Sequence, residues 1–168
     1  MSNILMQILT GIPLEAGHGC WRVLGVYIAS VLGGSMSIAA LSSHCRALVG
    51  ASAGAYGLLG AHFSTIILNW SEMEYRGIRL FIIVIFVAVD IFLCIFNPIT
   101  SLGNSTITHV AGFVLGFLVG VVLVRNLKVR FWETRLVKVC LALFIVIVVI
   151  LLSLIVFVAN FDLLEMLS

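Results

Sequence analysis

Two short segments carry residue types able to do covalent chemistry. One is Gly50-Ala51-Ser52-Ala53-Gly54-Ala55-Tyr56 and the other is His109-Val110-Ala111-Gly112. A serine hydroxyl is a weak nucleophile until a base removes its proton, and a nearby histidine is the usual base. Ser52 and His109 therefore point to acyl transfer, provided the fold brings them together. Tyr56 follows Ser52 by one helical turn, so both side chains point to one face, where the phenol ring could stack on the imidazole. The run from Gly50 to Gly54 also fits the G-x-S-x-G elbow of the α/β-hydrolases, a motif that requires a soluble strand–turn–helix setting. This sequence has no such setting, and small-residue membrane helices produce the pentapeptide often, so the match is weak by itself.

The elements that must position these residues are membrane helices. Of the 168 residues, 62% are hydrophobic and 10% charged, with a mean hydropathy of +1.28, whereas soluble domains average about 45–50% and about 25%. That composition excludes an ordinary soluble enzyme and a disordered chain. A net charge of +2 leaves no basic surface to neutralise phosphates, so nucleic acid is not an expected partner. Cys20, Cys45, Cys94 and Cys140 form no CxxC pair and no HExxH is present, so neither a metal nor another cofactor is expected.

A spanning helix needs roughly 20 mostly apolar residues. Five such stretches are expected near 23–43, 48–70, 80–96, 107–124 and 138–159. Ahead of them, residues 4–14 are apolar but too short to cross, and form a partial span. The fold class is thus an all-α polytopic membrane protein. Its expected organisation is a helical core over 1–125, a basic loop over 126–137, an extra C-terminal helix over 138–159 and a tail over 160–168. Arg22, Arg76, Arg79, Arg125, Lys128, Arg130, Arg135 and Lys138 fall in alternate loops, and Arg46 alone falls in the opposite set. By the positive-inside rule the former loops are cytoplasmic and Met1 lies outside. Ser52 and His109 each begin a span that leaves the outer side. At about 1.5 Å per residue, both sit roughly 5–10 Å below that surface. Small residues recur four apart at Gly50 and Gly54, at Ala53, Gly57 and Ala61, and at Gly112, Gly116 and Gly120. Such seams let helix backbones approach closely in lipid.

Taken in order, Gly50-Ala51-Ser52 with Tyr56, His109-Val110-Ala111-Gly112, and Gly11-Ile12-Pro13-Leu14-Glu15 with His18-Gly19 and Arg22 carry a resemblance over nearly the whole chain. The sequence resembles a rhomboid intramembrane serine protease of the eukaryotic, secretase-like type. The resemblance implies a six-helix core with a seventh helix appended at the C-terminus. It implies Ser52 as nucleophile, His109 as general base without a third acid, and Tyr56 as the stacking partner of His109, with Gly50 and Gly112 in support. It also implies that Asn3 joins the Ser52 backbone N–H in holding the oxyanion. Substrates would be single-pass transmembrane proteins, cleaved within or near their membrane helix. Ala53 stands where most of the family has glycine after the nucleophile, which keeps the N–H and adds one methyl. The family's first helix, the membrane-embedded loop after it, and a histidine four residues before the asparagine would all precede Met1. An N-terminally shortened member is therefore expected.

The other ionisable residues have plainer readings. Asp90 sits mid-span, where a carboxylate is costly, and is expected to be a hydrogen-bonded packing residue. His62, nearly three turns after Ser52, reads as a satisfied interior histidine, while Glu15 and His18 read as loop residues. The basic stretch from Arg125 to Lys138 fixes topology and meets anionic lipid, and Trp21 and Trp132 read as interfacial anchors. The last helix has almost no small or polar residues and is expected outside the core, against lipid. Two further function classes stay open: a catalytically inactive member that binds client transmembrane helices, and a transporter or channel. The second is the weaker, since no broken-helix repeat pair is visible.

Overall fold

The structure is a computed structural model, and it describes residues 2–41, 50–96, 102–124, 126 and 130–167. Cys45, Arg46, Arg125 and Lys128 lie outside them, as do the side chains of Asp90 and Cys94. Among the described residues the chain is all helix: α1 (Ser2–His18), α2 (Cys20–Leu41), α3 (Ala51–Leu68), α4 (Arg76–Phe96), α5 (Leu102–Leu123) and α6 (Phe131–Leu167). Four of these are long and apolar enough to cross a membrane, over Cys20–Leu41, Ala51–Leu68, Thr106–Leu123 and Phe131–Asn160. The expected 80–96 stretch lies within α4.

Several boundaries differ from the sequence reading. Glu15 and His18 belong to the last turn of α1 and not to a loop. Only Gly19 separates α1 from α2, at φ +89°, a left-handed conformation that glycine adopts without the Cβ penalty. Its N–H returns to the Glu15 carbonyl at 2.8 Å, which closes the helix end. Helix α6 starts at Phe131, inside the stretch read as loop, and continues to Leu167 through most of the stretch read as tail. The early start has a chemical cause. Glu133, the third residue of α6, accepts the Arg130 backbone N–H at 2.8 Å, one half of a capping box, and its charge suits the positive end of the helix.

Helix α3 is the centre of the bundle, touching α1, α2, α4 and α5. Its apolar window is 72% buried, against 6% for α6, so α6 lies mostly outside the core, as expected. The burial of α3 follows from its residues. Added methyls at Gly112 and Gly116 would overlap the backbones of Ala53 and Gly57, and one at Gly120 would lie 2.9 Å from Ala61 Cα. Helices α3 and α5 therefore run backbone against backbone over two full turns. Helix α2 closes the third side, with Gly34 against Ala53 and Thr108. Hydroxyls inside this trio bond to their own helices: Ser30 to Val26 O at 2.8 Å, Ser37 to Gly33 O at 2.8 Å, and Thr65 to Ala61 O at 2.9 Å. These three hydroxyls thereby offer no polar hydrogen to lipid.

Alternation of direction brings the starts of α2, α4 and α6 and the end of α3 to one end of the bundle. Trp21, Trp70 and Trp132 all lie there with Arg76, Arg79, Arg130, Arg135 and Lys138. Arg76 sits over the Trp70 ring, 5.1 Å from its centroid. The guanidinium of Arg130 bonds Ser71 Oγ, which links the α3–α4 and α5–α6 connections. Ser52 and His109 are towards the opposite end, as the second residue of α3 and the eighth of α5.

The α3–α5 seam sets a stability prediction. Gly116→Val forces a branched side chain into the Gly57 backbone, and overpacking of this kind costs about 1–3 kcal/mol or more. Thermal unfolding in detergent is expected at a clearly lower temperature, whereas Gly77→Ala, where no neighbour lies within 4 Å and helix propensity favours alanine, does not lower it.

Candidate active site

The site grows from the start of α3. Gly50 is its N-cap residue, in helical conformation at φ −67° and ψ −8°, and its carbonyl accepts the Gly54 N–H at 3.3 Å. A side chain at Gly50 would come within 3.0 Å of Val31 Cγ1, so the small residue lets α3 begin tight against α2. Ser52 is the second residue of α3 and is half-buried. Ala53 follows it, and the Ala53 backbone is the part of α3 that Gly112 approaches.

His109 lies three residues before Gly112 on α5, close to one turn. The glycine contact at Ala53 therefore brings the histidine's turn of α5 beside the Ser52 turn of α3. The Tyr56 and His109 rings are stacked, with centroids 4.2 Å apart and planes inclined by 11°. Tyr56 is buried, and the stack restricts the imidazole to one orientation. Ser52 and Tyr56, four residues apart, share a face of α3, the face on which the His109 ring stacks.

Helix α1 adds amide groups at the same end. Gln7 Nε2 donates to the Ala51 carbonyl at 3.1 Å and to the Tyr27 hydroxyl at 3.3 Å, joining α1, α2 and the first residue of α3. Asn3 is half-buried one turn before Gln7, on the same face of α1. Gln7 and Tyr27 did not emerge from the sequence reading. The available signal was spacing, because Gln7 follows Asn3 by four residues and interrupts an apolar run.

An apolar cavity of about 230 Å³ opens beside the imidazole, between α3, α4 and α5, lined by Tyr56, Val87, Ile91, Thr106, His109 and Phe113 among others. It is large enough for a side chain. His62 belongs elsewhere: its Nε2 lies 2.6 Å from the Thr10 carbonyl, so the ring N–H donates there and crosslinks α3 to α1. Glu15 and His18 do not join the Ser52 end, and His18 Nε2 lies 3.4 Å from Thr65 Oγ1 in the opposite half. These two contacts occupy the lower α1–α3 interface, while Gln7 occupies the upper one.

The arrangement can be compared with known proteins. Residues 1–126 match the family model of the rhomboid domain. The chain is 37% identical over 149 residues to rhomboid-related protein 1 of Caenorhabditis elegans, covering 86% of this chain and 41% of that protein. It is 30% identical over 154 residues to human rhomboid-related protein 3, covering 87% and 38%. It is also 34% identical over 139 residues to inactive rhomboid-related protein 2 of C. elegans, covering 77% and 39%. The chain thus spans about two fifths of the length of these curated relatives. Its matched region holds the helices that carry Asn3, Ser52, Tyr56, His109 and Gly112. The chain belongs to the rhomboid family.

Proposed function

We propose that this protein is an intramembrane serine endopeptidase that cleaves single-pass transmembrane proteins with a Ser52–His109 dyad. The observation that carries the proposal is the Tyr56–His109 stack, 4.2 Å between centroids, at the level where Gly112 draws α5 against the Ser52 turn. In this reading His109 takes the Ser52 proton as Oγ attacks the scissile carbonyl, and returns it to the leaving amine. Water then hydrolyses the acyl-enzyme with His109 again as base. The Ser52 N–H and the Asn3 amide hold the oxyanion, and one such donor is typically worth about 2.7–4 kcal/mol. The cavity beside His109 takes a substrate side chain next to the cut.

A peptide bond inside a membrane helix is hydrogen-bonded and hidden. The substrate must therefore unwind locally near the end of the bundle where Ser52 sits, and Gly, Ala or Ser near the cut lowers that barrier. The named inactive relative supports a second reading, in which the fold holds client helices without cutting them. Ser52, Tyr56 and His109 occurring together favour the catalytic one.

Labelling with a fluorophosphonate probe in detergent separates the two. The native chain is expected to label, and Ser52→Ala and His109→Ala are each expected to abolish labelling. Client binding that persists in Ser52→Ala, with no cut product from either form, would establish the binding reading instead. Tyr56→Phe keeps the ring stack and is expected to label at close to the native rate. Tyr56→Leu removes a contact worth about 0.5–1.5 kcal/mol and should slow labelling several-fold while the protein stays folded. Gln7→Leu deletes two hydrogen bonds of about 0.5–1.5 kcal/mol each, and is expected to lower both the unfolding temperature and the labelling rate.

A further inference from the structure

A second pocket lies at the opposite end of the bundle from Ser52. It is a cavity of about 320 Å³ between the ends of α3 and α5 and the start of α6, lined by Leu68, Val121, Val124, Asn126, Glu133 and Lys138 among others. Its walls are mostly aliphatic, with one carboxylate and one ammonium. Glu133 is 2% exposed. Its Oε2 is fully engaged, by the Arg130 N–H at 2.8 Å and by the Asn126 side-chain amide. Its Oε1 is buried with no hydrogen-bond partner among the described residues.

Capping of α6 accounts for one oxygen of Glu133 and leaves the other unexplained. A buried carboxylate oxygen without a donor costs more than an ordinary missing hydrogen bond, and Glu133 lines the cavity, so a donating ligand there relieves that cost once the carboxyl group turns towards it. The most effective donor is a cation, because charge-assisted hydrogen bonds are the strong ones. Lys138 on the same lining provides the opposite requirement, an anion. The level of the pocket narrows the choice further. Trp132 lies one residue before Glu133, within the end of the bundle that gathers all three tryptophans and most of the arginines, which is where membrane interfaces are marked.

We propose that this cavity binds the headgroup of an ethanolamine phospholipid from the leaflet on the basic side of the bundle. The primary ammonium donates to Glu133 Oε1, the phosphate pairs with Lys138, and an acyl chain follows the aliphatic wall of Leu68, Val121 and Val124. Choline lipids carry the same phosphate but no N–H, so they leave Oε1 unpaired. Glycerol lipids carry the phosphate but no cation. The assignment does not depend on whether Ser52 is catalytic.

The test is lipid retention by native mass spectrometry of the intact chain in detergent, titrated with phosphatidylethanolamine, phosphatidylcholine or phosphatidylglycerol of matched acyl chains. Ethanolamine lipid is expected to bind about tenfold more tightly than choline lipid, from one charge-assisted bond. Glu133→Gln, which keeps an acceptor for the α6 cap, is expected to erase that preference. Lys138→Met should weaken all three lipids while preserving their order. Val122 also lines the cavity, so Val122→Trp fills it with Glu133 intact and should also remove the preference, which covers the case of Glu133→Gln failing to fold. Equal retention of the ethanolamine and choline lipids overturns the proposal. So does a preference that survives Val122→Trp, or glycerol lipid binding as tightly as ethanolamine lipid.

Discussion

The backbone-to-backbone approach of α3 and α5 is the constraint on which the rest of this molecule depends. In lipid no hydrophobic force drives helices together, because the tails are as apolar as leucine. Association must come from close packing and from hydrogen bonds. Glycine at 112, 116 and 120, facing Ala53, Gly57 and Ala61, permits an approach that larger side chains would forbid. One helix turn of α5 is thereby fixed against one turn of α3. His109 inherits its place beside Tyr56 from that register, and a slip by one turn would remove the stack.

Polar groups reinforce the same register without exposing unmet donors. Hydroxyls of α2 and α3 turn back on their own carbonyls. Side chains that cross between helices, Gln7 to Ala51, His62 to Thr10 and His18 to Thr65 among them, pin α1 to α3 at three levels. These bonds are worth having because the alternative in the bilayer core is an unsatisfied group. Helix α4 and helix α6 are different: α4 shows Phe81, Val84, Val89 and Phe92 at its surface, and α6 shows Val149, Val156 and Phe157. Both are coats of branched and aromatic side chains suited to lipid.

The two ends of the bundle divide the chemistry. One end holds Ser52, His109, Tyr56 and the Asn3 and Gln7 amides, in the first two or so turns of their helices. The other collects arginines, tryptophans and the buried Glu133. This polarity follows from the strict alternation of helix direction, since every second connection returns to the same side.

Much of this was legible in the sequence. Uncharged runs of about 20 residues dictate helices in a membrane, and small residues four apart mark the seam of α3 and α5 because only they allow contact at that distance. The spacing of Ser52 and Tyr56 placed both on one face, since the helical period is fixed. Other features were not legible. Glu15 and His18 read as loop because polar residues near Pro13 and Gly19 resemble a turn, yet one left-handed glycine suffices to reverse the chain. The start of α6 was missed because its cap depends on Glu133 being buried against Asn126 and Arg130. Gln7 could not be assigned to Ala51 and Tyr27, nor Glu133 to a cavity, because those partners are 20 to 44 residues away or come from three helix ends at once. Periodicity and charge are local properties and settle which elements form and which face each presents. Which groups meet across those faces is decided by register between helices, and that exists only once the bundle is packed.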